Sequence, residues 1–198
     1  MSSTVSTRTE RDLSLAIVGV AGGLLGGVTM NLFARLVRST NHGREADGAA
    51  PGVERDGRGV QPPQADRHSE DDATVRVGTT VYQTIAGTQP SDDTKQWLGS
   101  AAHYGFSAAL GVMYALAIER APMLRAGFGT LYGTLVWAIA DEAVMPALGL
   151  SRGPREQPLG VHAYALSGHW VFGATLECVR RLGESFWNTR SGSNAATA

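Results

Sequence analysis

Five ionisable side chains and one asparagine lie inside long stretches that carry no other formal charge. Imidazole titrates near neutral pH, and carboxylates bind protons and cations. Both kinds of group are costly to place in an apolar environment, so they are expected to face other helices or a water-filled cavity. These residues are the candidates for a buried polar layer: Asn31, His103, Asp141, Glu142, His162 and His169.

The stretches that hold these residues are long enough to cross a bilayer. Residues 13–34, 96–118 and 157–176 contain no Asp, Glu, Lys or Arg, and residues 126–151 contain only Asp141 and Glu142. About 20 apolar residues in a helix cover about 30 Å of hydrocarbon. A soluble helix of this length would normally present a charged face. The pattern predicts an all-α, polytopic membrane protein with four transmembrane helices in a bundle.

The remaining segments are polar. Residues 41–68 have almost no large apolar side chains and are expected to be disordered. Residues 72–86 instead predict a short amphipathic helix at the membrane interface, although packing of this helix on the loop itself is nearly as good an interpretation. The predicted order is a polar tail at 1–12, transmembrane helices at 13–37, 96–119, 125–150 and 158–181, a polar loop at 38–95, and a C-terminal tail at 182–198.

Local signals mark several helix ends. Asp71 or Asp72 is predicted to cap the amphipathic helix, and Gly87 is predicted to end it. Ser91 is the predicted N-cap of the second transmembrane helix. Pro146 cannot donate to the carbonyl of Glu142, so a kink is predicted there.

The first apolar stretch also resembles a signal peptide. It is longer than the usual 7–15 residues, and it is flanked by Arg8 and Arg11 in front and by Arg35 and Arg38 behind, which favours an anchored helix. An even number of spans puts both termini on one side of the membrane. Basic residues near the spans number seven on that side and six on the other, so the positive-inside rule only slightly favours cytoplasmic termini with the long loop outside.

Glycines recur at intervals of four residues in the predicted helices. Small residues at this interval let helix backbones approach closely in lipid. The sequence leaves open whether the first helix packs within the chain or against another copy in a homo-oligomer. The predicted packing positions are Gly19, Gly23 and Gly27, with Gly22 and Gly26 on the adjacent ridge, and Gly129 and Gly133 in the third span.

The helical rise places most of the candidate polar residues at one depth. Measured from the side of the long loop, five of the six lie roughly 9–16 Å down their helices, and His162 lies only about 6 Å down. His169 is therefore the expected partner of Asp141 or Glu142. In a regular helix these two carboxylates point about 100° apart, so both cannot face one ligand.

Three interpretations of this layer stay open. His103, His169 and one carboxylate could form a protonatable site, the same groups could bind a divalent metal, or they could be structural hydrogen bonds. No HxxxH or HExxH spacing supports the metal, and no cofactor is expected. The net charge of −1 gives no indication of a nucleic-acid partner, so the lipid bilayer is the expected partner. Near the last span, Glu177 and Arg181 are predicted to form an interfacial ion pair.

Three short motifs resemble the YagU-like family of bacterial inner-membrane proteins, over roughly residues 13–38 and 96–183. The resemblance implies a multi-spanning inner-membrane protein of unknown biochemical activity, loosely associated with acid tolerance. It carries over no catalytic residue, and an embedded metal-dependent enzyme or an assembly protein stay as alternatives. The motifs are His103-Tyr104-Gly105-Phe106-Ser107, Pro146-x-x-Gly149-Leu150, and Gly168-His169-x-Val171-Phe172 followed by Glu177-x-x-Arg180-Arg181.

Overall fold

The computed structural model describes the backbone of residues 2–47 and 73–195, and the side chains of residues 10–40 and 74–186. Within these ranges every regular element is helical, which confirms the all-α class. A 3-10 turn at Pro122–Arg125 leads from the third helix to the fourth. The helices are α1 (Ser2–Asp47), α2 (Ala73–Ala86), α3 (Asp92–Ala117), α4 (residues 130–147) and α5 (Leu159–Ala195).

The helices extend beyond the apolar segments from which they were predicted. Helix α1 includes most of the predicted N-terminal tail, and α5 continues through most of the predicted C-terminal tail. Most of the segment predicted to be disordered, and the predicted cap at Asp71 or Asp72, lie outside the described residues. The Ser91 side chain accepts a hydrogen bond from the Thr94 amide, which confirms Ser91 as the N-cap of α3. Gly87 follows α2 with a φ of 68°, as expected for a helix-ending glycine.

Helix α1 lies between α3 and α5, and glycines set the close approach. A side chain at Gly23 would overlap the carbonyl oxygen of Ser107, and one at Gly19 would meet the backbone of Val112 in α3. On the adjacent ridge of α1, Gly26 packs against the Phe172 ring of α5. The structure thus fills both glycine ridges of α1 within the chain.

Helix α4 approaches α5 in the same way. A Cβ at Gly133 would overlap the carbonyl oxygen of His169, and one at Gly129 would overlap that of Gly173. Gly129 has a φ of 85°, a left-handed conformation that costs glycine little. This contact brings the carboxylates of α4 beside the histidines of α5.

Helix α4 changes its hydrogen-bond pattern at its centre. It is α-helical over Thr130–Val136, becomes a π-helix over Trp137–Val144, and ends in a short turn at Met145–Ala147. The Met145 amide donates to the carbonyl of Ala140, five residues earlier. Pro146 explains the change, because its ring excludes a regular helical turn before it, and a wider turn accommodates it. Where a kink was predicted, the structure has a π-helical segment.

A compact apolar core lies at one end of the bundle, near the contact between Arg11 of α1 and Glu119 after α3. The Tyr132 hydroxyl donates to the Leu110 carbonyl at 2.7 Å, which joins α4 to α3 inside this core. The buried members are Leu110, Tyr114, Ile118, Tyr132, Val136, Phe172 and Leu176.

One helical segment among the described residues, Glu10–Thr40, is long and apolar enough to cross a membrane. Its mean hydropathy is 1.9, and 28% of its most apolar window is buried. A signal sequence near the N-terminus meets the same criterion of length and composition, and so does the core helix of a soluble protein, although the latter is mostly buried. Of the four predicted spans, this one alone is a clear candidate in the described part of the chain.

Candidate functional site

A cavity of about 760 Å³ lies between the helices and is lined by all six residues of the predicted polar layer. Along α3 it extends from Gln96 to Leu110, which corresponds to about 21 Å of helix. Its deep end is formed by Leu110, Val136 and Phe172, which belong to the buried core. The outer end, at Gln96 and Gln157, is the side of the turn that joins α4 to α5. The cavity therefore has a polar mouth and an apolar floor.

Glu142 and His162 form the tightest contact in the cavity. Nδ1 of His162 lies 2.6 Å from Oε1 of Glu142, and Nε2 lies 3.0 Å from the carbonyl oxygen of Pro154. The Trp137 ring stands edge-on to the imidazole, with centroids 6.4 Å apart. His169 was the expected partner of Asp141 or Glu142; it lies beside Asp141, whereas Glu142 pairs with His162. The π-helical segment explains the difference, since its wider turns direct Asp141 and Glu142 differently from a regular helix.

The two contacts of His162 suit a pair that holds an additional proton. A neutral imidazole donates a hydrogen bond from only one of its nitrogens, yet both nitrogens of His162 face oxygen acceptors. Two arrangements satisfy this geometry, an imidazolium beside a carboxylate, or a neutral imidazole beside a protonated Glu142. In either case the pair holds one proton more than a neutral histidine next to a carboxylate, and this proton belongs to the pair.

Asp141 and His169 lie near each other without a direct hydrogen bond. Nδ1 of His169 is 2.9 Å from the carbonyl oxygen of Ala165 and 3.7 Å from Oδ2 of Asp141. The Nδ1 proton is therefore donated to the backbone. The side chain of Asp141 is 39% exposed, whereas that of His169 is 10% exposed. The Asp141 carboxylate is thus accessible on the cavity wall.

The other two predicted residues lie on the wall formed by α1 and α3. Asn31 donates to the Tyr104 hydroxyl at 3.2 Å, and Nε2 of His103 lies 3.4 Å from the Gly27 carbonyl. The second distance is long for a hydrogen bond. The imidazole also meets the edge of the Tyr104 ring, with centroids 5.1 Å apart. The hydrogen-bond partners of both side chains belong to their own wall rather than to the carboxylates of α4.

The histidines and carboxylates of the cavity meet in pairs. Among the residues whose side chains the structure describes, no three His, Cys, Asp or Glu side chains come together in a way that could hold a metal ion. The histidine–carboxylate contacts are pairs, and proton binding is the chemistry that such pairs can perform without a third group.

A second polar network lies below the apolar floor and is larger than the ion pair predicted from the sequence. Glu177 has no exposed side-chain surface and accepts hydrogen bonds from the Tyr114 hydroxyl and from Arg180 and Arg181 at 2.7–2.8 Å. The predicted ion pair between Glu177 and Arg181 is confirmed, and its carboxylate is buried within the bundle. The spacing of four residues in the sequence predicted the pair of Glu177 and Arg181. No local sequence pattern indicated that Tyr114 of α3 would bind the same carboxylate.

The network is bounded by a strained turn before α4. The Arg181 guanidinium lies 4.8 Å from the centroid of the Phe128 ring. Phe128 has a φ of 57°, between two glycines that also have positive φ. This conformation costs a non-glycine residue about 1–2 kcal/mol. The aromatic contact with Arg181 offsets part of this cost.

Comparison with known proteins gives a family but no function. No curated protein and no solved structure matches the chain. A family model described as a protein of unknown function, DUF1440, matches residues 55–178. The match includes α2, which the sequence resemblance left out, and it omits α1 and hence Asn31. Because it covers more than half of the chain, the protein belongs to the DUF1440 family.

Proposed function

We propose that the chain is a multi-spanning protein of a bacterial inner membrane, of the YagU-like kind, with the four spans predicted from the sequence. The support comes from where apolar side chains lie. Segment Glu10–Thr40 is strongly apolar, yet only 28% of its most apolar window is buried, which is unlike the core helix of a soluble protein. Large apolar side chains are exposed on each of the four long helices, including Leu32, Phe106, Ile139 and Trp170. Lipid is the solvent that suits such a surface.

We propose further that the protein responds to acid by binding a proton at the Glu142–His162 pair. The observation that carries this proposal is the position of His162 between two acceptors, Glu142 on α4 and the Pro154 carbonyl on the next turn. Removing the shared proton leaves one of these two contacts without a donor. In acid, His162 holds the turn against α4. As the pH rises, His162 loses its hydrogen bond either to Glu142 on α4 or to the Pro154 carbonyl on the turn. The apolar floor of the cavity favours proton binding over proton conduction.

Fluorescence of Trp137 tests this proposal directly, because its ring stands edge-on to His162. The other three tryptophans, Trp97, Trp170 and Trp187, are replaced by Phe, and the protein is purified in detergent. A protonated imidazole quenches indole emission more strongly than a neutral one. We expect the emission of Trp137 to rise as the pH is raised, and His162→Gln to abolish this rise.

Glu142→Gln should also remove or displace the titration, because a neutral amide no longer shares a proton with His162. Glu119→Gln is the matched control, since Glu119 pairs with Arg11 far from the cavity, and it should leave the titration unchanged. If His162→Gln keeps the wild-type curve in protein that still melts cooperatively, the pair is a structural hydrogen bond. The acid-response proposal would then be wrong.

A further inference from the structure

We propose that the inner end of the cavity binds a neutral phenol, that is, an aromatic ring that carries a hydroxyl group. The proposal goes beyond the acid response, because it concerns His169 and the apolar floor rather than the pair of Glu142 and His162. The cavity volume of about 760 Å³ lies in the range of about 300–1,000 Å³ that is typical of small-molecule sites. Binding of a proton alone needs far less room.

His169 has one ring nitrogen available for a ligand. Its side chain is only 10% exposed and lines the cavity. Nδ1 donates its proton to the Ala165 carbonyl at 2.9 Å, and Nε2 has no hydrogen-bond partner among the described residues. In a neutral imidazole that carries its proton on Nδ1, Nε2 is an acceptor. Because buried polar atoms in native proteins are usually paired with protein or with a bound molecule, a ligand hydroxyl that donates to Nε2 suits this position.

The available nitrogen lies just above the apolar floor. His169 precedes Phe172 of the floor by three residues, which is about 4.5 Å along α5. Ser107 of α3 precedes Leu110 of the floor by the same interval, is 5% exposed and also lines the cavity. Because Leu110 and Phe172 pack in one core, Ser107 and His169 lie at a similar depth on different walls. A serine hydroxyl can donate to the oxygen of a ligand, so this level of the cavity offers both an acceptor and a donor.

Rings and aliphatic side chains surround this level. Phe172 and Val136 form the floor below it. Toward the mouth, the rings of Phe33 and Tyr164 are stacked with centroids 6.0 Å apart and form the wall between α1 and α5. Aromatic rings pack favourably on one another, either offset or edge to face. These surroundings therefore favour an aromatic ring as the apolar part of the ligand.

The floor favours a neutral ligand over an ion. Glu142 lies 2.6 Å from Nδ1 of His162, and Asp141 lies 3.7 Å from Nδ1 of His169, so each carboxylate already has a basic group beside it. An ion at the depth of His169 would lose its water and rest on apolar side chains, which is costly. A phenol instead buries an uncharged ring and keeps its one polar group hydrogen-bonded.

Two probes that differ only in the hydroxyl proton test the proposal. The probes are para-butylphenol and its methyl ether, which has a similar shape but cannot donate a hydrogen bond. Binding to purified protein is measured by equilibrium dialysis at about pH 8, where imidazole and phenol are both mostly neutral, with protein-free micelles as the reference. We expect saturable binding of the phenol and about tenfold weaker binding of the ether, because the ether loses one hydrogen bond. Equal binding of the two probes by the wild-type protein would overturn the inference.

Variants of His169 assign the preference to Nε2. His169→Phe keeps a planar ring but removes the acceptor, so it should bind the two probes about equally. His169→Gln, whose amide oxygen can accept in place of Nε2, should keep a preference for the phenol, which separates loss of the acceptor from loss of the fold. A wild-type preference in His169→Phe protein that still melts cooperatively would also overturn the inference.

Trp170→Phe is the matched control. Trp170 is the next residue of α5, but its ring nitrogen donates to Thr134 and the residue does not line the cavity. The variant loses one hydrogen bond outside the cavity and should keep the wild-type preference for the phenol. Because the pair of Glu142 and His162 is intact in all these variants, the Trp137 titration reports independently on the acid-response proposal.

Discussion

Glu177 keeps its charge at a position with no exposed side-chain surface. Four hydrogen bonds compensate for the loss of water, one from Tyr114 on α3 and three from Arg180 and Arg181 on α5. A buried ion pair of this kind adds little stability compared with apolar packing, but removing one partner leaves the other charge buried alone. Arg180, itself only 6% exposed at its side chain, would then keep only its ion pair with Glu184.

Glu177→Gln is therefore expected to lower the free energy of unfolding by up to about 3 kcal/mol, because Arg180 loses its buried partner and keeps only the half-exposed Glu184. Thermal or denaturant unfolding in detergent, followed by circular dichroism, measures this loss. Glu119→Gln is the matched control, since its partner Arg11 is 68% exposed at the side chain, and a change below about 1 kcal/mol is expected there. Equal losses in the two variants would show that the buried network is no more important than a surface pair.

At the scale of the helices, close backbone contacts explain which glycines are needed for packing. On α3, a Cβ at Gly111 would overlap the carbonyl oxygen of Gly19 in α1, whereas a Cβ at Gly105 meets nothing within 4 Å. The two positions share a helix and a residue type, and they differ only in what faces them. The overlap at Gly111 is with backbone, so α1 and α3 must separate to relieve it.

This contrast gives a paired prediction. Gly111→Ala should destabilise the bundle, because α1 cannot keep its contact with α3, by about 1–3 kcal/mol as for an overpacked core. Gly105→Ala should be neutral or stabilising by up to about 1 kcal/mol, because alanine favours helix over glycine. The test compares the melting temperatures of the two variants and the wild type in the same detergent. A stabilising Gly111→Ala would mean that α1 does not pack here.

The elements also show what the sequence can and cannot predict. The N-cap at Ser91 and the helix end at Gly87 depend on a few adjacent residues, so local rules found them. The π-helical segment of α4 lies between the packing contact of Gly133 on α5 and Pro146, and the sequence predicted only a kink there. Estimating the depth of each residue along ideal helices therefore predicted which residues share the cavity. It did not identify the partner of Glu142. The burial of Glu177 was missed because charges near a helix end normally indicate a surface.

At the scale of the whole molecule, the described helices enclose a cluster of polar groups and also present many large apolar side chains on their outer surface. The cavity collects histidines and carboxylates between the helices, while Leu25, Leu36 and Met113 are about half exposed or more. The connections after α3 and after α4 lie at opposite ends of the bundle, as shown by Arg11 meeting Glu119 and by Ser151 lining the cavity mouth. A bilayer around the four long helices would separate these two connections.

Single cysteines at the helix ends test this arrangement against a single-span protein. In a Cys178→Ser background, cysteine replaces Asp12 before the first span, Arg120 after α3, or Gly153 after α4, where a side chain meets no clash. With four spans, a membrane-impermeant maleimide added to sealed cells should give residues 12 and 120 the same labelling and residue 153 the opposite, and inverted vesicles should exchange the two patterns. With α1 as the single span, residues 120 and 153 would label together and opposite to residue 12. That second outcome would place the cavity in water, on one side of the membrane, and the proposed four-span bundle would be wrong.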